Sequence, residues 1–249
     1  MSDEADYRAT WQAEYRKAYA AGKAHWRPEL ATPKAFAEFM QSEWAPPAPA
    51  RILEAGCGDG LNAIYLARLG HRVTGVDISE DAIARARKAA AEQGVEVEFL
   101  CLDLVKQRPP GRGAYDLWVD IKTLHVLWRD ADRRSYLETA GAALRPRGVF
   151  FLNCGLALRD VREHFPEVFS RLDADVQAGA DVLDRDLPKA ERRGIRCETL
   201  EAYCRELEQS GFAILHARRE ASVETGWGAV VVAQKASVSQ PGAAECLRL

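Results

Sequence analysis

Three glycines at alternate positions constrain this chain more than any other feature. They lie in Ile52-Leu53-Glu54-Ala55-Gly56-Cys57-Gly58-Asp59-Gly60, after a short apolar run that begins at Arg51 and before a helical pattern over Asn62 to Leu69. Glycine lets the backbone turn tightly and lets a ligand approach without a Cβ in the way. The helix behind the turn offers free N–H groups. A dinucleotide-binding turn reads GxGxxG. Here the position of that third glycine is Leu61, and the spacing is GxGxG. Acidic Glu54 repels a pyrophosphate but suits a cationic group such as an α-ammonium. Both features weigh against the rival reading from another enzyme class, a nicotinamide oxidoreductase.

The surrounding chain alternates regularly. Strands are expected at 51–55, 72–76, 95–101, 115–121 and 149–154. Helices are expected at 62–69, from the Ser79 cap to Gln93, and at 133–144, with Arg145-Pro146-Arg147-Gly148 as a turn. Apolar strands alternating with helices imply a parallel sheet covered on both faces. After Gly155 the pattern changes, and residues 156–196 read as charged and irregularly helical. A helix over 199–210 and two closing strands, 212–218 and 227–234, follow. The expected organisation is an N-terminal helical lid over 1–48, a core over 49–155 and an inserted substrate cap over 156–196. The core's closing helix and hairpin occupy 197–235, and a tail runs over 236–249.

Two further acids narrow the ligand. Asp77 ends the second strand, seventeen residues after Gly60, where a carboxylate accepts both hydroxyls of a ribose. Asp103 follows the third strand, placed to accept from the exocyclic amine of adenine. A glycine turn, a ribose acid and an adenine acid on consecutive strand ends describe an adenosine with a charged amino-acid tail, which is S-adenosylmethionine.

With these motifs the sequence resembles the class I S-adenosylmethionine-dependent methyltransferases. The likeness rests on Glu54-Ala55-Gly56-Cys57-Gly58-Asp59-Gly60, Val73-Thr74-Gly75-Val76-Asp77-Ile78-Ser79 and Leu100-Cys101-Leu102-Asp103-Leu104. It also rests on Tyr115-Asp116-Leu117-Trp118-Val119-Asp120 and on Leu144 to Leu152. The resemblance implies a Rossmann-like, seven-stranded, mostly parallel α/β sheet with an antiparallel C-terminal hairpin. It implies S-adenosylmethionine as cofactor and S-adenosylhomocysteine as product. The cofactor-binding positions are then Glu54, Gly56, Cys57, Gly58, Gly60, Asp77, Ile78, Asp103, Leu104 and Asp120. Arg147 departs from the family, which more often has glycine there.

Asp120-Ile121-Lys122-Thr123-Leu124-His125 follows strand four, at the face where the acceptor sits. It lacks the Asp/Asn-Pro-Pro-Tyr/Phe motif of enzymes that methylate base amines, which argues against nucleic acid. It looks like the small-molecule branch, similar to thiopurine and tellurite-type methyltransferases. His125 and Asp120 are the expected catalytic residues, His125 as base or substrate contact. Trp11, Tyr15 and Trp26 resemble the aromatic lid of that branch, and Trp26 is assigned to the cofactor. Arg192, Arg193 and Arg196 in the cap are candidates, with His125, to bind the acceptor, as clamps on a carboxylate or phosphate. His25 and His164 are weaker candidates.

The expected acceptor is a small organic molecule, such as a natural-product intermediate bearing a carboxylate. The alternatives are a peptide or protein acceptor, arsenite held by Cys154 and Cys197, and a pseudoenzyme or regulator that binds the cofactor without turnover. Composition fits these readings. Net charge is −3 and pI near 6.0, so bulk charge gives no reason to bind a polyanion. No run is apolar and long enough for a membrane helix, and the expected location is cytoplasmic. None of the six cysteines has CxxC spacing, and no metal site is expected.

Overall fold

The computed structural model describes residues 7–23, 33–172, 196–222 and 226–236. One seven-stranded sheet carries them, in the order β3-β2-β1-β4-β5-β7-β6. The strands are β1 (Arg51–Ala55), β2 (Arg72–Asp77), β3 (Glu98–Cys101), β4 (Tyr115–Ile121), β5 (Leu144–Gly155), β6 (Phe212–Ser222) and β7 (Gly226–Lys235). The first five are parallel, and β7 runs antiparallel to both β5 and β6. The expected fold is therefore the observed one.

Alternation along the strands sorts the core onto two faces. Leu53, Trp118, Phe150 and Leu152 face α5 (Asp130–Ala143) and α8 (Leu200–Gln209). Ile52, Leu117, Val119 and Phe151 face α2 (Lys34–Met40), α3 (Leu61–Arg68) and α4 (Glu80–Glu92). The central strands are buried on both sides, which is why they read as apolar runs.

Three boundaries differ from expectation for local reasons. Strand β3 starts at Glu98 rather than 95, because Val95 closes α4. Its N–H donates to Ala90 O while Gly94 N–H donates to Ala91 O, with Gly94 left-handed at φ 65°. Helix α5 begins three residues early, with Asp130 and Asp132 in its first turn where the helix dipole favours acids. The turn expected at 145–148 lies within β5. Arg147 there has φ 61°, the left-handed backbone that glycine adopts without penalty.

Helix α1 (Tyr7–Ala20) lies across the carboxyl ends of the strands. Tyr7 donates to Asp132 at the start of α5. Gln12 Oε1 accepts from Ser79 Oγ and Glu80 N–H at the start of α4. Of the expected lid over 1–48, α1 is the part that borders the cleft. Helix α2 packs behind the sheet, with Phe36 and Phe39 against Phe151. In the expected cap, α6 (Leu158–His164) and α7 (Pro166–Phe169) brace the sheet edge and do not line the cleft. Val161 and Val168 join the core beside Tyr203, and Asp160 accepts from Leu200 N–H and pairs with Arg219.

Candidate active site

A cleft of about 750 Å³ opens at the carboxyl ends of β1 to β5. Its floor is the glycine turn after β1. Its roof is α1, through Tyr7, Trp11 and Tyr15. One end is walled by Leu102, Leu104 and Val105, and the other by Lys122, His125, Cys197 and Trp227.

The turn's backbone is set by its glycines. Gly56 and Gly58 have φ of 65° and 55°, and a Cβ on Gly58 would lie 2.9 Å from the Tyr15 hydroxyl. Gly58 N–H donates to Asp77 Oδ2 at 2.9 Å, and Ser79 N–H donates to Oδ1 at 2.9 Å. The Tyr15 hydroxyl also bonds Asp77. Burial raises the Asp77 pKa, and these donors oppose the rise. Asp103 and Leu104 line the cleft one strand away, with Asp103 Oδ1 accepting from Val105 N–H.

Glu54 is the most unusual group in the cleft. It is 2% exposed. Oε1 accepts from Asn62 Nδ2 at 3.2 Å, the Ala63 N–H also bonds the carboxyl, and Oε2 has no close hydrogen-bond partner among the described residues. Burial pushes its pKa up to about 8. A buried carboxyl oxygen without a partner costs ~1–3 kcal/mol until something donates to it. An α-ammonium at this edge of the cleft supplies both donor and countercharge.

The expected cofactor positions Glu54, Gly56, Cys57, Gly58, Asp77, Ile78, Asp103 and Leu104 all line this one cleft. Two expected positions do not. Gly60 caps α3 behind the loop, where a Cβ would meet Ala86 and Phe99 at 2.9 Å, so its lack of a side chain serves packing. Asp120 is fully buried beneath the cleft. Its carboxylate accepts from Thr123 N–H, Leu124 N–H and the Tyr136 hydroxyl. Burial pushes its pKa up to about 6, and it holds the turn after β4 rather than reaching a ligand.

The acceptor-side expectations need similar revision. His125 lines the cleft, but its Nδ1 accepts from Gly155 N–H at 3.1 Å. The neutral ring therefore carries its proton on Nε2 and presents a donor, which is the wrong tautomer for a base. Arg196 is buried. Its guanidinium pairs with Glu198 at 2.8 Å and Asp130 at 2.6 Å, and bonds Trp128 O, so it clamps the fold and leaves no fork for a carboxylate. His164 pairs with Asp160 on α6, away from the cleft. Trp26, His25, Arg192 and Arg193 lie outside the described residues.

Several lining residues escaped the sequence reading. Thr123 Oγ donates to Ala55 O and ties the turn after β4 to the glycine loop. Asn62 holds Glu54. Lys122 occupies the acceptor end. Its position one residue past strand four was the available signal in the sequence. Among the described residues no cluster of three His, Cys, Asp or Glu side chains is placed to hold a metal ion. Among them no helix is long and apolar enough to cross a membrane.

A mostly parallel sheet thus brings a glycine turn, a buried acid and two further acids from successive strand ends to one cleft. Comparison with known proteins shows what the chain is similar to. A family model described as a methyltransferase domain matches residues 52–148. The ubiquinone biosynthesis O-methyltransferase of Caulobacter vibrioides is 35% identical over 101 residues, covering 41% of this chain and 39% of the relative. The Nitrosococcus oceani protein of the same name is 29% identical over 164 residues, covering 62% and 61%. The chain thus spans less than two thirds of the length of these curated relatives. Among solved structures, the 1,6-didemethyltoxoflavin-N1-methyltransferase of Burkholderia thailandensis superposes with a TM-score of 0.68 at 22% identity. That match covers 95% of this chain and 92% of the other, which was crystallised with 1,6-didemethyltoxoflavin and S-adenosylhomocysteine. Residues 52–148 thus resemble a methyltransferase domain, and the fold is that of the solved methyltransferase structure. The likeness to the thiopurine and tellurite branch has no support from these comparisons.

Proposed function

We infer that this protein methylates an oxygen of a small organic acceptor, using S-adenosylmethionine. The observation that carries the reading is Glu54, whose unpartnered oxygen borders the same cleft as Asp77 and Asp103. When bound, S-adenosylmethionine supplies a methyl carbon on a cationic sulfur, so an aimed lone pair bonds that carbon while the C–S electron pair stays on sulfur.

The chain's own residues then have separate tasks. Glu54 takes the α-ammonium, Asp77 the ribose hydroxyls and Asp103 the adenine amine. Gly58 admits the ligand to the backbone. Trp11 and Tyr15 on α1 roof the cleft and exclude water, which strengthens the charge interactions beneath them. An in-line displacement asks mainly for alignment, and the walls at Val126, Leu127 and Trp227 give an apolar surface to align an organic acceptor.

Oxygen as the target is supported by the relatives, which are named as O-methyltransferases. The roof of α1 favours a small acceptor over a peptide. A carboxylate on the acceptor gains nothing from Arg196, whose charge is already paired.

The test is calorimetric titration with S-adenosylhomocysteine and with NADH. A product-release assay on a panel of phenols, enols and peptides accompanies it. Micromolar binding of the first ligand, none of the second, and turnover of a small hydroxyl compound are expected. Absence of S-adenosylhomocysteine binding would sink the reading.

A further inference from the structure

The acceptor end of the cleft contains a lysine that the fold has gone out of its way to place. Lys122 directly follows the last residue of β4 and has φ 68°, a left-handed backbone that costs a side-chain-bearing residue roughly 1–2 kcal/mol. Its N–H is fixed on Asn153 O at 2.9 Å, which anchors the turn. Its side chain runs beneath β7. A Cβ on Gly228 would sit 3.0 Å from Cys154 O, which makes the glycine a matter of strand packing, and 3.5 Å from Nζ, which places the amine in contact with this point of β7. No hydrogen bond or ion pair joins Nζ to any described residue. The amine lines the cleft beside His125, Cys197 and Trp227.

We propose that Lys122 Nζ is the catalytic group that takes the acceptor's hydroxyl proton, and that the acceptor is an acidic hydroxyl, a phenol or enol, on an apolar ring. This deepens the methyltransferase reading above and rests on it. The proton step breaks the acceptor O–H bond and forms an N–H bond on the neutral amine's lone pair. The products are an ammonium and an oxyanion held against each other. The oxyanion keeps the electron pair that the methyl carbon requires, and the ammonium returns its proton to solvent as product leaves.

The surroundings suit that cycle. The amine lines the cleft, and burial lowers the Lys122 pKa, which favours the neutral form over that of an exposed lysine. The groups facing it are Asp120 on β4, Cys154 on β5, Cys197 and Glu220 on β6. Cys154, Cys197 and the two carboxylates oppose that fall, and the carboxylates favour the ammonium once the proton has been taken. The Nδ1 of His125 accepts from Gly155 N–H, so that nitrogen does not take the proton.

The test uses the full-length protein saturated with S-adenosylhomocysteine and 4-nitrophenol as probe, read by the absorbance of the bound phenolate. Wild type should bind the dye as phenolate below its solution pKa, lowering that pKa by about one unit, a tenfold change in acid strength. The Lys122→Met variant should lose the phenolate band and bind the dye at least tenfold more weakly. The Lys122→Arg variant keeps a cation and should retain the band, while its turnover of weakly acidic phenols falls at least 100-fold. A wild type that shows no phenolate band, or a Lys122→Met variant with an unchanged band, overturns the proposal. So does tighter competition by 4-nitrobenzoate, which arrives already ionised. Unaltered S-adenosylhomocysteine affinity in each variant shows that the cofactor site is intact. Loss of that affinity in wild type would instead refute the methyltransferase reading beneath it.

Discussion

The Glu54→Gln substitution should stabilise the ligand-free protein while weakening its hold on S-adenosylhomocysteine. In the folded chain the carboxyl keeps its proton up to about pH 8, against an ordinary value of 4.5. Between those values the unfolded chain binds fewer protons, so stability falls as pH rises and levels off above about 8. At ~1.4 kcal/mol per pH unit, the cost of this group at pH 7 is about 3 kcal/mol. A glutamine amide has no such cost and can still accept from Asn62. The variant should therefore melt about 6–10 °C higher at pH 7, for a chain of this size, and no higher near pH 4.5. Binding runs the other way. Losing a charge-assisted bond to the ligand's ammonium costs ~1.5–3 kcal/mol, or roughly 10- to 150-fold in affinity. Proton counting gives a third signature. At pH 7 the free carboxyl is about nine-tenths protonated, so wild type should release ~0.9 proton on binding. Calorimetry in two buffers of different ionisation enthalpy measures that number. Proton release that persists in the Glu54→Gln variant, or a ligand-free variant that melts no higher than wild type at pH 7, would refute the argument.

Asp77→Ala should weaken S-adenosylhomocysteine by ~1.5–3 kcal/mol in calorimetry, through lost charge-assisted ribose bonds, and unchanged affinity would remove Asp77 from the site. Gly58→Val should abolish that binding with the fold retained, because φ 55° and the nearby Tyr15 hydroxyl leave no place for a side chain at the cleft floor. Gly60→Ala should instead lower the melting temperature with little effect on affinity, since its Cβ would press on Ala86 and Phe99 outside the cleft. Arg133→Met should cost ~3–5 kcal/mol in urea denaturation. It removes a fully buried guanidinium bonded to both Glu206 oxygens and to Leu124 O and Leu127 O. A loss below ~1 kcal/mol would show that the acid and carbonyls find other partners.

What the sequence made legible is what local physics decides. The strands around Gly56 are apolar because they are buried on both faces, and the helices are closed by residues such as Ser79 and Gly94 whose chemistry is local. The acids Glu54, Asp77 and Asp103 were legible because each lies near, at or just past the end of a strand, and parallel topology brings strand ends together. Gly60, which caps α3, and Asp120, near the end of β4, lie off the cleft lining for a common reason: spacing along the chain does not say whether a group faces the cleft or the packing beneath it. Only the partners decide that: Ala86 and Phe99 for Gly60, and Thr123, Leu124 and Tyr136 for Asp120.

The same distinction explains why His125 looked like the base and Lys122 did not. A histidine is conspicuous because its ordinary pKa lies near neutrality, and a lysine on a loop reads as a solvated charge. Tertiary contacts invert both expectations. Gly155 N–H takes up the only lone pair that the neutral histidine could use at Nδ1. Strand β7, through Gly228, comes against a lysine 106 positions away in sequence only when the closing hairpin folds back. Its burial, and hence its basicity, is set by β5, β6 and β7 together. The residues proposed for the cofactor thus stand at or near consecutive strand ends, where spacing can find them, while Lys122, proposed as the proton acceptor, is enclosed only when the antiparallel hairpin docks.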